Sequence, residues 1–119
     1  MAGSLETFRR GKAGEALAAL CLMLKGYRIL ARRYKTPVGE ADLVAARGKI
    51  LVFAEVKSRG DYGAAAEAIT ARQRRRIMRA AEYFLGSNLR YAAHDVRFDA
   101  LIVLPFFRIR HVENAFGGL

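Results

Sequence analysis

The chain has 119 residues, 53% of them hydrophobic and 27% charged, a balance that excludes disorder and predicts one folded domain over residues 1–119. Lys and Arg number 21 against 11 Asp and Glu, a net charge of +10, and sixteen of the 21 are Arg, the residue better suited to bidentate phosphate contact. That surplus points to a polyanionic partner, nucleic acid first; a basic surface kept for solubility, or for an anionic membrane, is the plainer reading.

The first predicted element is a helix from about Leu5 to Lys25, with residues 1–4 as a frayed end and Gly26 as the stop. Leu17, Leu20 and Leu24 recur at i, i+3 and i+7 on one face. Nearly opposite lie Gly11, Glu15, Ala18, Ala19 and Leu22. A helix apolar on both sides is expected to be buried, which makes Glu15 a carboxylate in need of a partner. A solvated Glu in an exposed first turn is the alternative. Gly11 and Gly14 predict a close backbone approach. Basic residues Arg9, Arg10 and Lys12 before the apolar stretch Ala16–Leu24 superficially resemble a signal peptide. Glu15 at its edge, Lys25 at its close and the lack of a small-residue cleavage pattern argue against one. The stretch is also too short to span a bilayer. The expectation is a cytoplasmic protein with no membrane partner. Cys21, the sole cysteine, allows no internal disulfide and reads as a small core residue in a reducing compartment.

Tyr27–Tyr34 alternates as a strand. Arg32, Arg33 and Lys35 surround Tyr34; such a cluster either contacts phosphate or guards an edge strand against aggregation. After a turn at Pro37 and Gly39, two apolar runs between Gly39 and Lys57 flank Arg47-Gly48-Lys49, a hairpin signal. Charges sit inside these strands. Glu55 and Lys57, two apart, share a face. The place of Asp42 depends on the turn. A two-residue loop of Arg47 and Gly48 sets Asp42 opposite Phe53 with Glu55 as diagonal neighbour. A four-residue loop sets it directly opposite Glu55. A three-residue loop without a bulge turns it to the other face. Two-residue loops are commonest, so two carboxylates and an ammonium are expected to converge. Close carboxylates repel unless neutralised, and a hard divalent cation such as Mg²⁺ is one neutraliser.

Ser58–Ala66, with Arg59 and Asp61, reads as a loop that either closes over a substrate or simply connects. Thr70 and Gln73 form a capping box for a second helix that stops at Gly86. Gln73, Ile77, Ala80, Ala81 and Phe84 make its core face, with Gln73 placed to reach a site at the sheet's end. Arg72, Arg75, Arg76 and Arg79 cover the other sides as a phosphate-tracking surface, or as a solvated face. A polar connection over Ser87–Ala93 leads to the strand Val96–Leu104. Its apolar run predicts a central position buried on both faces. Pro105 breaks it, Phe107–Val112 is a last edge strand, and Phe116–Leu119 a loose end. His94 and His111 lack ligand spacing, and neither is expected to be catalytic. The order is α-β-β-β-α-β-β.

Asp42, twelve residues, then Glu55-Val56-Lys57 resembles the signature of the PD-(D/E)XK nuclease superfamily, with Ala41 in place of its usual proline. Gly14-Glu15, Gly26-Tyr27-Arg28-Ile29-Leu30, Gly39-Glu40-Ala41-Asp42-Leu43-Val44, Val52-Phe53-Ala54-Glu55-Val56-Lys57-Ser58-Arg59 and Arg97-Phe98-Asp99 more closely resemble the YraN-like family of small bacterial proteins, itself similar to archaeal Holliday-junction resolvases. The resemblance implies a restriction-endonuclease-like α/β fold, a mixed sheet flanked by helices. It further implies Mg²⁺ or Mn²⁺ on Asp42 and Glu55 with the Val56 carbonyl, and Glu15 as a third carboxylate. Lys57 would orient or help deprotonate the attacking water; Gln73, by its place on the second helix rather than by the resemblance, is expected to support the site through a hydrogen bond. Arg32, Arg33, Lys35, Arg59, Arg72, Arg75, Arg76 and Arg79 would hold the phosphates of a nucleic acid, DNA first. A resolvase must cut two strands, which argues for a homodimer. A nucleic-acid-binding module of nuclease fold that does not cleave is the alternative.

Overall fold

The computed structural model describes residues 2–58 and 70–116, with side chains from residue 13 onward. Arg59 and nearly all of the loop expected over Ser58–Ala66 lie outside the described residues, as does the end of the chain from residue 117. The elements are α1 (Ala2–Leu24), β1 (Arg28–Lys35), β2 (Glu40–Arg47), β3 (Ile50–Ser58), α2 (Ala71–Ser87), a 3₁₀ turn (Leu89–Tyr91), β4 (Asp95–Leu104) and β5 (Arg108–Val112). This is the order α-β-β-β-α-β-β, built as a five-stranded mixed sheet β1-β2-β3-β4-β5. The pairs are antiparallel except β3 with β4, which run parallel and are joined through α2. A parallel pair needs such a crossover, whereas the antiparallel neighbours need only turns.

A helix covers each face. Beneath α2 lie Ala41, Val44, Ala46, Leu51, Phe53, Phe98 and Tyr91, with Ile77, Ala80, Ala81 and Phe84 from the helix. The ring of Phe84 meets those of Phe53 and Tyr34 edge-on at 5.6 and 5.5 Å. Beneath α1 lie Leu43, Ala45, Val52, Ala54 and Leu101, with Ala18, Ala19 and Leu22 from the helix. β4 stands second from one edge rather than at the centre, which β3 holds; its run from Phe98 to Ile102 is buried all the same.

Three local expectations change. First, α1 is not buried all round. Its small-residue face meets the sheet, while Leu20 and Met23 are exposed and Leu24 is 80% exposed. Closeness decides this: a Cβ added at Gly14 would stand 3.0 Å from Ser58 Oγ, so small residues let the helix backbone settle where leucines would hold it off. The helix ends in a Schellman motif. Tyr27 N–H donates to Leu22 O and Gly26 N–H to Met23 O, each at 3.0 Å, and both Leu22 and Tyr27 enter the core. Second, β1 does not alternate evenly, because its register with β2 shifts between Ile29 and Ala31. One extra residue there moves Ala31 onto the α2 face with Leu30. Third, Phe116 is not loose, for its ring stacks on Phe98 at 6.3 Å.

The capping box is present as expected. Gln73 N–H donates to Thr70 Oγ1 and Thr70 N–H to Gln73 Oε1, both at 3.1 Å. At the start of β2, the Thr36–Gly39 turn packs against the backbone of α2. An added Cβ at Gly39 would fall 2.0 Å from the Arg76 carbonyl oxygen, so only glycine fits this approach.

Candidate active site

The β2–β3 turn falls one residue later than expected. Arg47 pairs with Ile50, so Gly48 and Lys49 form the two-residue loop, with Gly48 at a left-handed φ of 58°. Each step back along the ladder keeps this register to Leu43 opposite Ala54. The next step sets Asp42 directly beside Glu55, the geometry expected of a longer loop. There the backbone ladder gives way to a side chain: Asp42 Oδ2 accepts the Val56 N–H at 2.7 Å. On β3, Glu55 and Lys57 share a face as alternation requires, and Lys57 Nζ lies 3.1 Å from Glu55 Oε1 with both side chains mostly buried.

Arg33 on β1 falls between the Arg32–Leu43 and Tyr34–Ala41 pairs, across from Asp42. Its backbone takes a left-handed φ of 51°. Its guanidinium Nε meets Glu15 Oε2 of α1 at 2.6 Å. Glu15 is therefore partly buried and partnered, as a carboxylate on the sheet-facing side of a helix must be.

Burial, then the negative charge of Glu55, pushes the Asp42 carboxyl up to about 7; Glu15 adds to the rise, while the Val56 N–H and the Lys57 ammonium oppose it. Three carboxylates thus converge with one ammonium and one guanidinium. Among the described residues, no three His, Cys, Asp or Glu side chains are arranged as a metal cage. Asp42 and Glu55 still fit a Mg²⁺-like ion, which is usually held by one or two carboxylates and otherwise by water and phosphate. Burial is the first cause of the raised Asp42 carboxyl, and the negative charge of Glu55, the second, is what a cation would neutralise. Glu15 spends Oε2 on Arg33, which leaves Oε1 to reach an ion directly or through water.

The other expected residues are spread more widely. Gln73 spends its side-chain oxygen on the helix cap, so the acceptor that a hydrogen bond from the Lys57 ammonium would need is already engaged. Arg72, Arg74, Arg75 and Arg79 are exposed, and none has an ion-pair partner among the described residues. Arg76 leans on Glu40 at 3.3 Å. Arg32 and Lys35 are exposed on β1.

One polar centre escaped the sequence reading. Asp99, wholly buried on β4, is held by both ends of the Arg97 guanidinium at 2.9 Å, by His111 Nε2 at 2.7 Å and by the Asn114 N–H at 3.0 Å. Arg97 also donates to the Tyr27 hydroxyl. Lys25 Nζ donates to His111 Nδ1 at 2.9 Å, which leaves His111 Nε2 to carry its proton toward Asp99. Burial alone would raise the Asp99 carboxyl, but the hydrogen bonds from His111, Arg97 and Asn114 hold it below the usual range. The signal was available: Arg97 and Asp99 stand two apart at the head of a buried strand, hence on one face, where charges must pair.

Fold and site together define a mixed α/β protein with an acidic–basic cluster over β2 and β3 and an arginine-covered helix on one face. The family model for Uncharacterised protein family UPF0102 matches residues 14–103, a span holding Glu15, Asp42, Glu55, Lys57 and Asp99. A UPF0102 protein of Mesorhizobium japonicum is 51% identical over 113 residues, covering 95% of this chain and 90% of its own length. A UPF0102 protein of Parvibaculum lavamentivorans is 49% identical over 114 residues, covering 96% and 86%. The chain belongs to this family, the one to which the YraN-like resemblance pointed. Among the described residues no helix is long and apolar enough to cross a membrane.

Proposed function

We propose that the chain is a Mg²⁺- or Mn²⁺-dependent endonuclease that hydrolyses phosphodiester bonds in branched or otherwise structured DNA. The observation that carries this reading is the convergence of Asp42, Glu55 and Lys57, with the Asp42 carboxyl pushed up to about 7 by burial and by the neighbouring carboxylates. A pure structural pair does not need a second buried acid left short of positive charge.

In this reading Asp42 and Glu55 hold the cation, which supplies Lewis-acid stabilisation of phosphate charge when bound. Lys57 Nζ, fixed on Glu55, orients the attacking water and steadies charge developing on the phosphoryl oxygens. Arg72, Arg75 and Arg79 track the phosphates, joined by Arg32, Lys35 and Arg76. Among the described residues no element offers base edges a distinct set of donors and acceptors, and the recognition expected is by shape.

A second reading, a nucleic-acid-binding module that does not cleave, is favoured by one observation: the Glu15 charge is already balanced by Arg33, which makes it a weaker third carboxylate for a cation. Cleavage of four-way junctions, flaps and single strands with Mg²⁺ or Mn²⁺ separates the two. Asp42→Ala and Lys57→Ala are each expected to abolish cleavage and keep binding. Cleavage that survives both substitutions overturns the nuclease reading, and binding without cleavage by the unaltered chain establishes the second.

A further inference from the structure

The turn between β4 and β5 carries two neighbouring aromatic rings that the core does not use. Phe106 and Phe107 are 89% and 85% exposed. Both hold left-handed backbones, at φ 64° and 59°, a conformation that glycine or asparagine adopts easily and bulky residues do not. Strain and exposed apolar surface thus coincide, and packing against the described residues offsets neither. Strain of this kind collects at binding sites.

Its position is specific. β4 runs parallel to β3, with Lys57 beside Ile102 and Ser58 beside Val103. The turn therefore leaves the sheet at the end where Glu55 and Lys57 lie. Arg108 folds its Nε onto the Pro105 carbonyl at 3.0 Å, which keeps a guanidinium beside the rings. An aromatic pair with a fixed cation matches an unpaired nucleotide, whose base offers a π-face to the ring and whose phosphate meets the arginine. A second copy of this chain fits less well. Joining two such turns would bring the exposed Arg108 of one copy against that of the other, a like-charge contact.

We infer that Phe106 and Phe107 form a stacking wedge that holds unpaired bases beside the Asp42–Glu55–Lys57 cluster. The inference rests on the nucleic-acid reading above and deepens it, because the wedge supplies a preference for branch points over plain duplex that phosphate contacts alone do not.

The test uses the whole chain in EDTA, so that binding is measured without cleavage. Affinity is compared for a blunt duplex and a forked DNA carrying 2-aminopurine at the branch. The unaltered chain is expected to bind the fork about 5-fold or more tighter than the duplex, as one stacked base would give, and to quench the 2-aminopurine. The variant F106N/F107G replaces the rings with residues suited to left-handed backbone. It is expected to melt no lower than the unaltered chain, to bind duplex equally well, and to lose both the fork preference and the quenching. Equal binding of fork and duplex by the unaltered chain overturns the wedge. So does a variant that loses stability but keeps the preference. Loss of binding that accompanies dissociation of a dimer in sedimentation assigns the surface to a second copy, which also overturns it. Fork preference without Mg²⁺-dependent cleavage leaves the wedge standing and removes the nuclease, and cleavage without fork preference does the reverse.

Discussion

The guanidinium of Arg33 meets the carboxylate of Glu15 at 2.6 Å, tying strand β1 to helix α1 above the row that holds Asp42 and Glu55. This pair adjusts the negative charge that Asp42 feels, since Glu15 adds to the rise that burial and Glu55 begin and Arg33 is bound to Glu15. Glu15→Gln is expected to bring the Asp42 carboxyl below about 7, and Arg33→Gln to move it higher. Carboxyl titration followed by NMR on the metal-free protein checks both. Opposite shifts from the two substitutions are the required result, and shifts of the same sign would refute the coupling.

The same carboxyl makes stability depend on pH. Its folded value lies above its unfolded value of 3.8, so the folded state holds the extra proton between those two limits. Stability then falls as pH rises from about 4 to about 7, and the full cost remains above that. Asp42→Asn removes the ionisation while keeping an oxygen for the Val56 N–H. It is expected to be more stable than the unaltered chain at pH 8, by on the order of 2–4 kcal/mol, and to show little difference at pH 4. Mg²⁺ is expected to raise the melting temperature of the unaltered chain at pH 8 and not that of the variant. Urea titrations at the two pH values, with and without Mg²⁺, measure it.

How far this site could be read in advance is clearest at the hairpin. Strand alternation alone puts Glu55 and Lys57 on one face. It could not place Asp42, because Arg47-Gly48 and Gly48-Lys49 are both two-residue turns with one glycine, and they differ only in which residue closes the ladder. The structure sets the closing pair at Arg47 and Ile50, and Asp42 lands beside Glu55. The orientation of α1 was hidden for another reason. Hydrophobic periodicity favours the leucine side, whereas the contact is governed by how near the backbone can come, and Gly14, Ala18 and Ala19 win. Arg33 could be read only as a surface cation, since its left-handed backbone, which marks its turn toward Glu15, leaves no trace in composition.

The arginines of α2 should act unequally. Arg72, Arg75 and Arg79 lack ion-pair partners among the described residues, while Arg76 already shares Glu40. Replacing any of the first three with Gln is expected to weaken DNA binding similarly for all sequences and to reduce the slope of log affinity against log salt by about 1. Arg76→Gln should change the slope less. Binding measured across a salt series tells them apart, and equal slopes for all four variants would count against phosphate contact by this face.

Asp99 carries a structural prediction. Its carboxyl satisfies Arg97, His111 and the Asn114 amide at once, so Asp99→Ala takes from a partly buried guanidinium its buried anion and leaves it only the longer 3.7 Å contact to the exposed Glu113. Loss of one partner of a buried pair costs about 3–5 kcal/mol. The depressed carboxyl contributes stability above its unfolded value of 3.8, and that contribution is lost as pH falls through the lower folded value. Denaturant unfolding should therefore show a large gap between the unaltered chain and Asp99→Asn at pH 7 that narrows toward pH 2. A gap that stays constant would mean that shape, not charge, holds this centre.

Gly39 joins fold to site. Its missing side chain lets the start of β2 rest on α2, where a methyl group would fall 2.0 Å from the Arg76 carbonyl oxygen. Backbone cannot yield as the end of a flexible side chain can, so Gly39→Ala must push strand and helix apart. Overpacking of this order costs about 1–3 kcal/mol, which in a chain of this size lowers the melting temperature by roughly 5–15 °C. The displaced strand carries Glu40, which pairs with Arg76, and then Asp42. The substitution is thus expected to loosen the Asp42–Val56 hydrogen bond and to weaken Mn²⁺ binding, although residue 39 supplies no ligand. Calorimetry for stability and Mn²⁺ electron paramagnetic resonance for binding read the two effects separately. A variant that melts lower yet binds Mn²⁺ unchanged would show that β2 can shift at Gly39 without moving Asp42.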